Sequence, residues 1–104
     1  MSETQPTRVA IVTGASRGIG AAIAKHLAAD GKHVVCVARN LDKLNEVKAE
    51  IEDAGGAASV KTCDISDGAA IAAMIDDVAE EHGRLDVLVN NAGITRDNLS
   101  LIHI

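Results

Sequence analysis

Apolar and polar positions follow two spacings in turn along the chain. Arg8 to Thr13 is a short aliphatic run that stops at a glycine, the pattern of a strand covered on both faces. Ile19, Ile23 and Leu27 then recur every four residues, which marks one face of a helix. Gly31 is placed to close that helix as its C′ residue. His33 to Ala38 is a second run, carrying Val34, Val35 and Val37. Asn40 reads as the N-cap of a helix with the stripe Leu41, Leu44, Val47 and Ile51, ended by Gly55 and Gly56. Ala57 to Cys63 is a weaker strand around Val60. Ser66 reads as the N-cap of a helix over Asp67 to Glu81, with Ile71, Ile75 and Val78 as its stripe and Gly83 as its stop. Asp86 to Asn90 is a fourth aliphatic run.

The predicted order is βαβαβαβ, with helices of about 12 to 16 residues. Parallel strands joined by right-handed helical crossovers place helices on both sides of the sheet. The expected fold is α/β, a doubly wound parallel sheet of Rossmann-like type with strand order 3-2-1-4, the N-terminal half of such a sheet. At 104 residues the chain is read as a single, partial domain over 1–104. It shows no repeat, linker or low-complexity tract. Pro6, the one proline, precedes the first strand and breaks no ladder.

Composition narrows the chemistry. The chain has no Phe, Trp or Tyr, yet is 47% hydrophobic, so its core is built from small and branched aliphatics. Tyrosine acid–base chemistry within these residues is excluded, and no ring is present to stack single-stranded bases. Ten basic against fifteen acidic residues give a net charge of −5, with no basic run to meet a phosphate backbone. No nucleic-acid partner is expected. No apolar stretch reaches membrane-spanning length, and polar Met1 to Thr7 lacks a signal-peptide apolar region. Cys36 and Cys63 have no CxxC spacing, which fits a reducing, cytoplasmic setting and offers no disulfide framework or zinc site. Both read as small buried hydrophobes. His26, His33, His82 and His103 have no metal-ligand spacing and read as surface or structural residues.

The strongest candidate for chemistry is Thr13-Gly14-Ala15-Ser16-Arg17-Gly18-Ile19-Gly20, set between a predicted strand and a predicted helix. Gly14 permits a sharp turn, Gly18 lets backbone approach a ligand, and Gly20 lets the helix pack on the sheet. The helix amides and dipole attract a pyrophosphate. Ser16 adds a hydroxyl donor and Arg17 a positive charge. The spacing is GxxxGxG. It lacks the GK[ST] ending that holds a nucleotide triphosphate with Mg²⁺. The bland alternative is a turn that merely connects two elements.

Three further positions fall at predicted strand ends. Arg39 stands where dinucleotide folds place a ribose-binding acid or an arginine for a 2′-phosphate. Its presence favours NADP over NAD, unless it is simply a solvated charge. Asp64 is a candidate acceptor for an adenine amino group, or else a turn residue. Asn90-Asn91-Ala92-Gly93 puts amides and a glycine on the ligand edge, where an Asn pair can brace neighbouring strands, or forms a plain turn.

Thr13 to Gly20, Asp64-Ile65 and Asn90 to Gly93 together resemble the short-chain dehydrogenase/reductase family, over about residues 7 to 99. The stretch Ile94 to Leu99 is similar to the 3-oxoacyl-(acyl-carrier-protein) reductases of bacterial fatty-acid synthesis. The resemblance implies that Gly14, Ala15, Ser16 and Arg17 contact the phosphates of NADPH and that Gly18, Ile19 and Gly20 complete the loop. It implies Arg39 beside the 2′-phosphate, Asp64 and Ile65 about the adenine, Asn90 on the ribose side, and Ala92 and Gly93 among the cofactor-binding residues. It also implies a homotetrameric parent that uses Ser, Tyr and Lys, the last two in a YxxxK motif downstream. No such motif occurs here, so no catalytic residue is assigned and the chain itself is expected to be inactive. The tail Ser100 to Ile104 departs from the subgroup, and the expectation is a truncated reading of a longer gene with residues 100–104 foreign to it. The fourth strand would then be an exposed edge. The alternatives are another reductase of the family, acting on a hydroxysteroid, sugar or acyl-CoA, and a non-catalytic dinucleotide-binding module. A methyltransferase-like protein is disfavoured by the glycine spacing and Arg39.

Overall fold

The computed structural model describes residues 7–64, 66–91 and, as backbone, 100–103. The elements run β1 (Val9–Thr13), α1 (Gly18–Ala29), β2 (His33–Ala38), α2 (Leu41–Asp53), β3 (Ala57–Thr62), α3 (Gly68–His82), β4 (Val87–Asn90) and β5 (Ser100–His103). They form one sheet in the order β3-β2-β1-β4-β5. The first four strands are parallel, as expected, with Ala10 beside both Val34 and Val87 and Ala38 beside Thr62.

Side-chain alternation along the strands divides the core into two layers. Ala10, Val12, Val34 and Cys36 face α1 and α2, against Ala24, Ala28, Leu44, Val47 and Ile51. Val9, Ile11, Val35 and Val37 face α3, against Met74 and Val78. Helices therefore cover both faces of the sheet. Every residue of β1 is buried, which is why that strand reads as an unbroken aliphatic run. At the edge, β3 is only partly covered.

Several sequence expectations are corrected. The inward face of α1 is Gly20, Ala21, Ala24 and Ala28. Ile23 and Leu27 are partly buried at its flank, while Ile19 is 65% exposed. The cause is close approach: a β-carbon on Gly20 would lie 2.0 Å from the Gly14 carbonyl oxygen. Only small side chains fit between backbones this near, and the bulkier ones are displaced sideways. Leu41, expected in the stripe of α2, is 47% exposed. It opens the helix, one turn ahead of buried Leu44. Asn40 does cap α2, its side chain accepting from the Lys43 amide at 3.1 Å.

Ser66 does not cap α3. Asp67 does, its Oδ1 accepting from the amides of Ala69 at 3.0 Å and Ala70 at 3.3 Å. The helix accordingly begins one residue later than expected, at Gly68. Its buried residues are Met74 and Val78, with Ile75 packed beside them. Nor is β4 an open edge. Residues 100–103, expected to be foreign to the family sequence, pair with it antiparallel as β5, with Leu88 opposite Ile102.

Candidate functional site

Because β1 to β4 are parallel, their carboxyl ends share one edge of the sheet. That edge gathers the glycine turn after β1, Arg39 after β2, Asp64 after β3 and Asn90 at the end of β4. These predicted site residues are thus brought together by topology. Ile65, Ala92 and Gly93 lie outside the described residues.

The turn leaves β1 at Gly14, whose φ of 66° is in the left-handed region that side chains disfavour. The Ala15 amide donates to the Val37 carbonyl at 3.2 Å, pinning the turn to β2. Arg17 is extended and precedes the first turn of α1. That helix start has neither a side-chain cap nor an acidic residue in its first turn, whereas Asn40 caps α2 and Asp67 caps α3. Among the described residues its first amides meet no side-chain acceptor, so they and the positive dipole end are available to an external one. The close approach at Gly20 is what sets these amides over the strand end. Asn91 Nδ2 also lies 2.7 Å from where a Gly20 β-carbon would sit.

Arg17 and Arg39 are both exposed. Among the described residues neither makes an ion pair, unlike Lys25, Lys32, Lys61 and Arg84. Asp64 is held in a turn: its Oδ1 accepts from the Ser66 amide at 3.0 Å and from the Ser66 hydroxyl at 2.6 Å. These bonds, and to a lesser degree the charge of Arg39, keep its carboxyl below the ordinary value. Both readings of Asp64 therefore stay open, since the turn occupies only one carboxylate oxygen.

The sequence reading placed Thr13 at the head of the glycine motif but gave it no role of its own. Its buried hydroxyl accepts from the Asn91 amide at 2.9 Å and approaches Asn90 Oδ1 at 3.1 Å. The end of β1 is thereby tied to the start of the Asn90-Asn91 segment. The only signal was a hydroxyl at the last position of an otherwise aliphatic run. The sequence also gave no sign that Asp86 accepts from the Val9 amide at 2.9 Å and pairs with Arg84 in a bidentate fork of 2.8 and 2.7 Å.

Both cysteine thiols are raised above their ordinary value. Burial pushes Cys36 up to about 11, and burial followed by the charges of Asp64 and Asp67 raises Cys63. His33 lies at the far end of β2, its ring 4.6 Å from that of His82 and its Nε2 3.1 Å from the Ser59 hydroxyl. Burial, then the neighbouring charges of His82 and Lys48, lower its pKa. Among the described residues no three metal-ligating side chains converge, and no helix is long and apolar enough to cross a membrane.

A parallel sheet with helices on both faces and a glycine turn under an uncapped helix defines a Rossmann-like α/β protein. The chain matches the short chain dehydrogenase family over residues 8–102 and belongs to it. It is 49% identical over 86 residues to a fatty acyl-CoA reductase of Acinetobacter baylyi, covering 83% of this chain and 29% of that protein. It is 48% identical over 94 residues to the 3-oxoacyl-(acyl-carrier-protein) reductase FabG of Staphylococcus aureus, covering 89% of this chain and 38% of that one. A metagenomic short-chain oxidoreductase crystallised in complex with NADP superposes with a TM-score of 0.80 at 56% identity, over 84% of this chain and 39% of that one. The chain thus spans well under half the length of these proteins.

Proposed function

We propose that the chain is the cofactor-binding part, one partial domain, of an NADPH-dependent short-chain reductase. We further propose that the whole protein reduces a 3-oxoacyl group on acyl carrier protein to the 3-hydroxyacyl form. The observation that carries the first statement is the start of α1 above the glycine turn, without a side-chain cap, with Arg17 and Arg39 exposed at the same sheet edge and in no ion pair among the described residues. Amides, a dipole end and two exposed guanidinium groups suit the phosphates of a dinucleotide, and an arginine rather than an acid at position 39 suits one carrying a 2′-phosphate. NADP in a related solved structure supports the same reading.

In this reading the residues divide the work. The backbone from Gly14 to Gly20 and the Ser16 hydroxyl hold the pyrophosphate. Arg17 and Arg39 neutralise phosphate charge, and Ile19, exposed at the mouth of the turn, gives the ligand an apolar contact. Asp64 and Ile65 bracket the adenine. Asn90, Ala92 and Gly93 line the ribose side, with Asn90 oriented by Thr13. The dinucleotide, when bound, supplies the hydride. Proton transfer is assigned to a Ser, Tyr and Lys set outside these residues, in a cytoplasmic homotetramer that acts on a small or carrier-bound substrate. A second substrate reading, an acyl-CoA, is favoured by the identity with the A. baylyi reductase.

Titration calorimetry with NADPH and NADH tests the cofactor reading. The unmutated protein is expected to bind NADPH more tightly, and Arg39→Asp to invert the order, with NADPH weakened by roughly tenfold or more as repulsion replaces attraction. Equal affinities in the unmutated protein refute the role given to Arg39. For the substrate, turnover of one 3-oxoacyl thioester on acyl carrier protein is compared with its CoA counterpart in the whole protein. A preference for CoA would replace the first substrate with the second.

A further inference from the structure

The last turn of α3 meets the sheet through polar side chains. The residues that α3 buries are Met74 and Val78, in the middle of the helix. One turn further on, Lys61 Nζ of β3 donates to Glu81 at 3.2 Å. The next residue, His82, lies against His33 of β2 with ring centroids 4.6 Å apart. His33 is also bound across the sheet, its Nε2 3.1 Å from the Ser59 hydroxyl of β3. Both rings are half-buried. One ion pair and one imidazole pair thus fasten the end of α3 to β2 and β3. Among the described residues no carboxylate pairs with either ring. The acids of the adjoining turns are engaged elsewhere: Glu81 with Lys61, Asp30 with Lys32, and Asp86 with Arg84 and the Val9 amide. The charges that act on His33 are those of His82 and of Lys48 on α2, which oppose a charged imidazole. Arg8, whose carbonyl accepts from the His33 amide, brings a further cation to this end of the sheet.

We propose that the His33–His82 pair is an acid-sensitive latch, which holds the last turn of α3 on β2 and β3 while the rings are neutral and releases it when both are charged. Two charged rings this close repel, and in a half-buried site with no counter-charge nothing offsets that repulsion. Burial, followed by His82 and Lys48, already lowers the His33 pKa from its ordinary 6.5. A released turn therefore takes up the proton more readily than a docked one. The fastening is complete above pH 6.5 and weakens as the pH falls below that value. The Lys61–Glu81 pair holds the same turn without titrating with the rings. The latch sits at the amino ends of the strands, across the sheet from the glycine turn, so it is separate from the proposed cofactor site.

Hydrogen exchange of the full chain, read by mass spectrometry at about pH 7.5 and about pH 5.5, tests the latch. Rates are corrected for the intrinsic effect of pH. Peptides over residues 79–84 are expected to exchange roughly tenfold faster at the lower pH, the effect of one pKa unit between docked and released turns. Peptides from β1 and α1 are expected to change little. His33→Gln and His82→Gln each keep a polar side chain without a titrating ring, and each should abolish the difference. Glu81→Gln should loosen the same turn at both pH values and leave the difference in place. Circular dichroism checks that each variant keeps the helix content of the parent; where His33→Gln does not, His82→Gln, at the helix end, carries the test. A pH difference that survives the histidine variants overturns the proposal. So does a difference spread evenly over all three helices, which is general acid unfolding, and so does the absence of any difference in the parent.

Discussion

Gly20→Ala and Gly68→Ala are the same chemical change in the first turn of two helices, and the structure gives them opposite signs. In open space, Gly to Ala within a helix stabilises by about 0.5–1 kcal/mol. A β-carbon on Gly68 meets nothing within 4 Å, so that substitution is expected to be neutral or stabilising by up to this amount. A β-carbon on Gly20 would sit 2.0 Å from the Gly14 carbonyl oxygen and 2.7 Å from Asn91 Nδ2. The first of these is backbone, in a turn pinned to β2, and cannot swing aside. Helix α1 must then withdraw by roughly 1 Å or more, and the contacts of Ala21, Ala24 and Ala28 with the sheet loosen along its length. Overpacking costs about 1–3 kcal/mol. A backbone clash belongs at the top of that range, so the expected loss is about 3 kcal/mol. At about 4–8 °C per kcal/mol for a chain of this size, Tm should fall by roughly 12–24 °C. With no aromatic residue the chain has no intrinsic fluorophore, so urea and thermal unfolding are followed by far-UV circular dichroism. A Gly20→Ala chain as stable as the parent, or stabilised as Gly68→Ala is, would refute the close-approach argument.

The cap of α3 gives a second pair. Asp67→Ala should cost about 1 kcal/mol, whereas Ser66→Ala should stay within about 0.5 kcal/mol; the reverse ranking in urea unfolding would restore Ser66 as the cap. Asp86 sets an acid limit. Its carboxyl is held at about 2, below an ordinary 3.8, first by the Arg84 fork and then by the Val9 amide. A depressed carboxyl contributes stability that is complete above pH 3.8 and vanishes as the pH falls through about 2. Asp86→Asn should therefore flatten the acid side of the stability curve in that window, and an unchanged slope would remove Asp86 from the account.

What could be read from the sequence and what could not divide along a physical line. β1 and β2 were legible because strands covered on both faces need aliphatics at every position, and a run such as Val34 to Ala38 has no other use. Gly31, Gly55 and Gly83 were legible because each ends a helix in a backbone state that favours glycine. The glycine turn and the residues at the strand ends were legible because parallel topology sends every strand's carboxyl end to one edge. The inner face of α1 was not, because the periodic signal follows large residues and this interface is made of small ones. Thr13 and Asp86 were not, because a hydroxyl or carboxylate discloses nothing in sequence about a partner more than seventy residues away. Ser66 and Asp67 are both good caps on composition, and only the hydrogen bonds distinguish them. β5 follows residues from which no spacing argument ran, and its pairing with β4 is a tertiary fact.

The failure at α1 and the success at the glycine turn have a single cause. A helix whose first amides are to serve a ligand at a strand end must begin almost against that strand, since the dipole's influence fades within the first turn. Beginning there requires Gly20 to lie on the Gly14 carbonyl and Ala21, Ala24 and Ala28 to replace larger residues beneath the helix. The larger apolar side chains of this layer come from Leu44, Val47 and Ile51 of α2 and from the buried valines of β1 and β2. An aromatic ring under α1 would lift it away from Gly14 and withdraw the amides from the edge. Beneath α1 a ring-free face is therefore a condition of that close approach. The stripe Ile19, Ile23 and Leu27 misleads for the same reason: it runs beside the contact, and its first member stands exposed at the mouth of the turn.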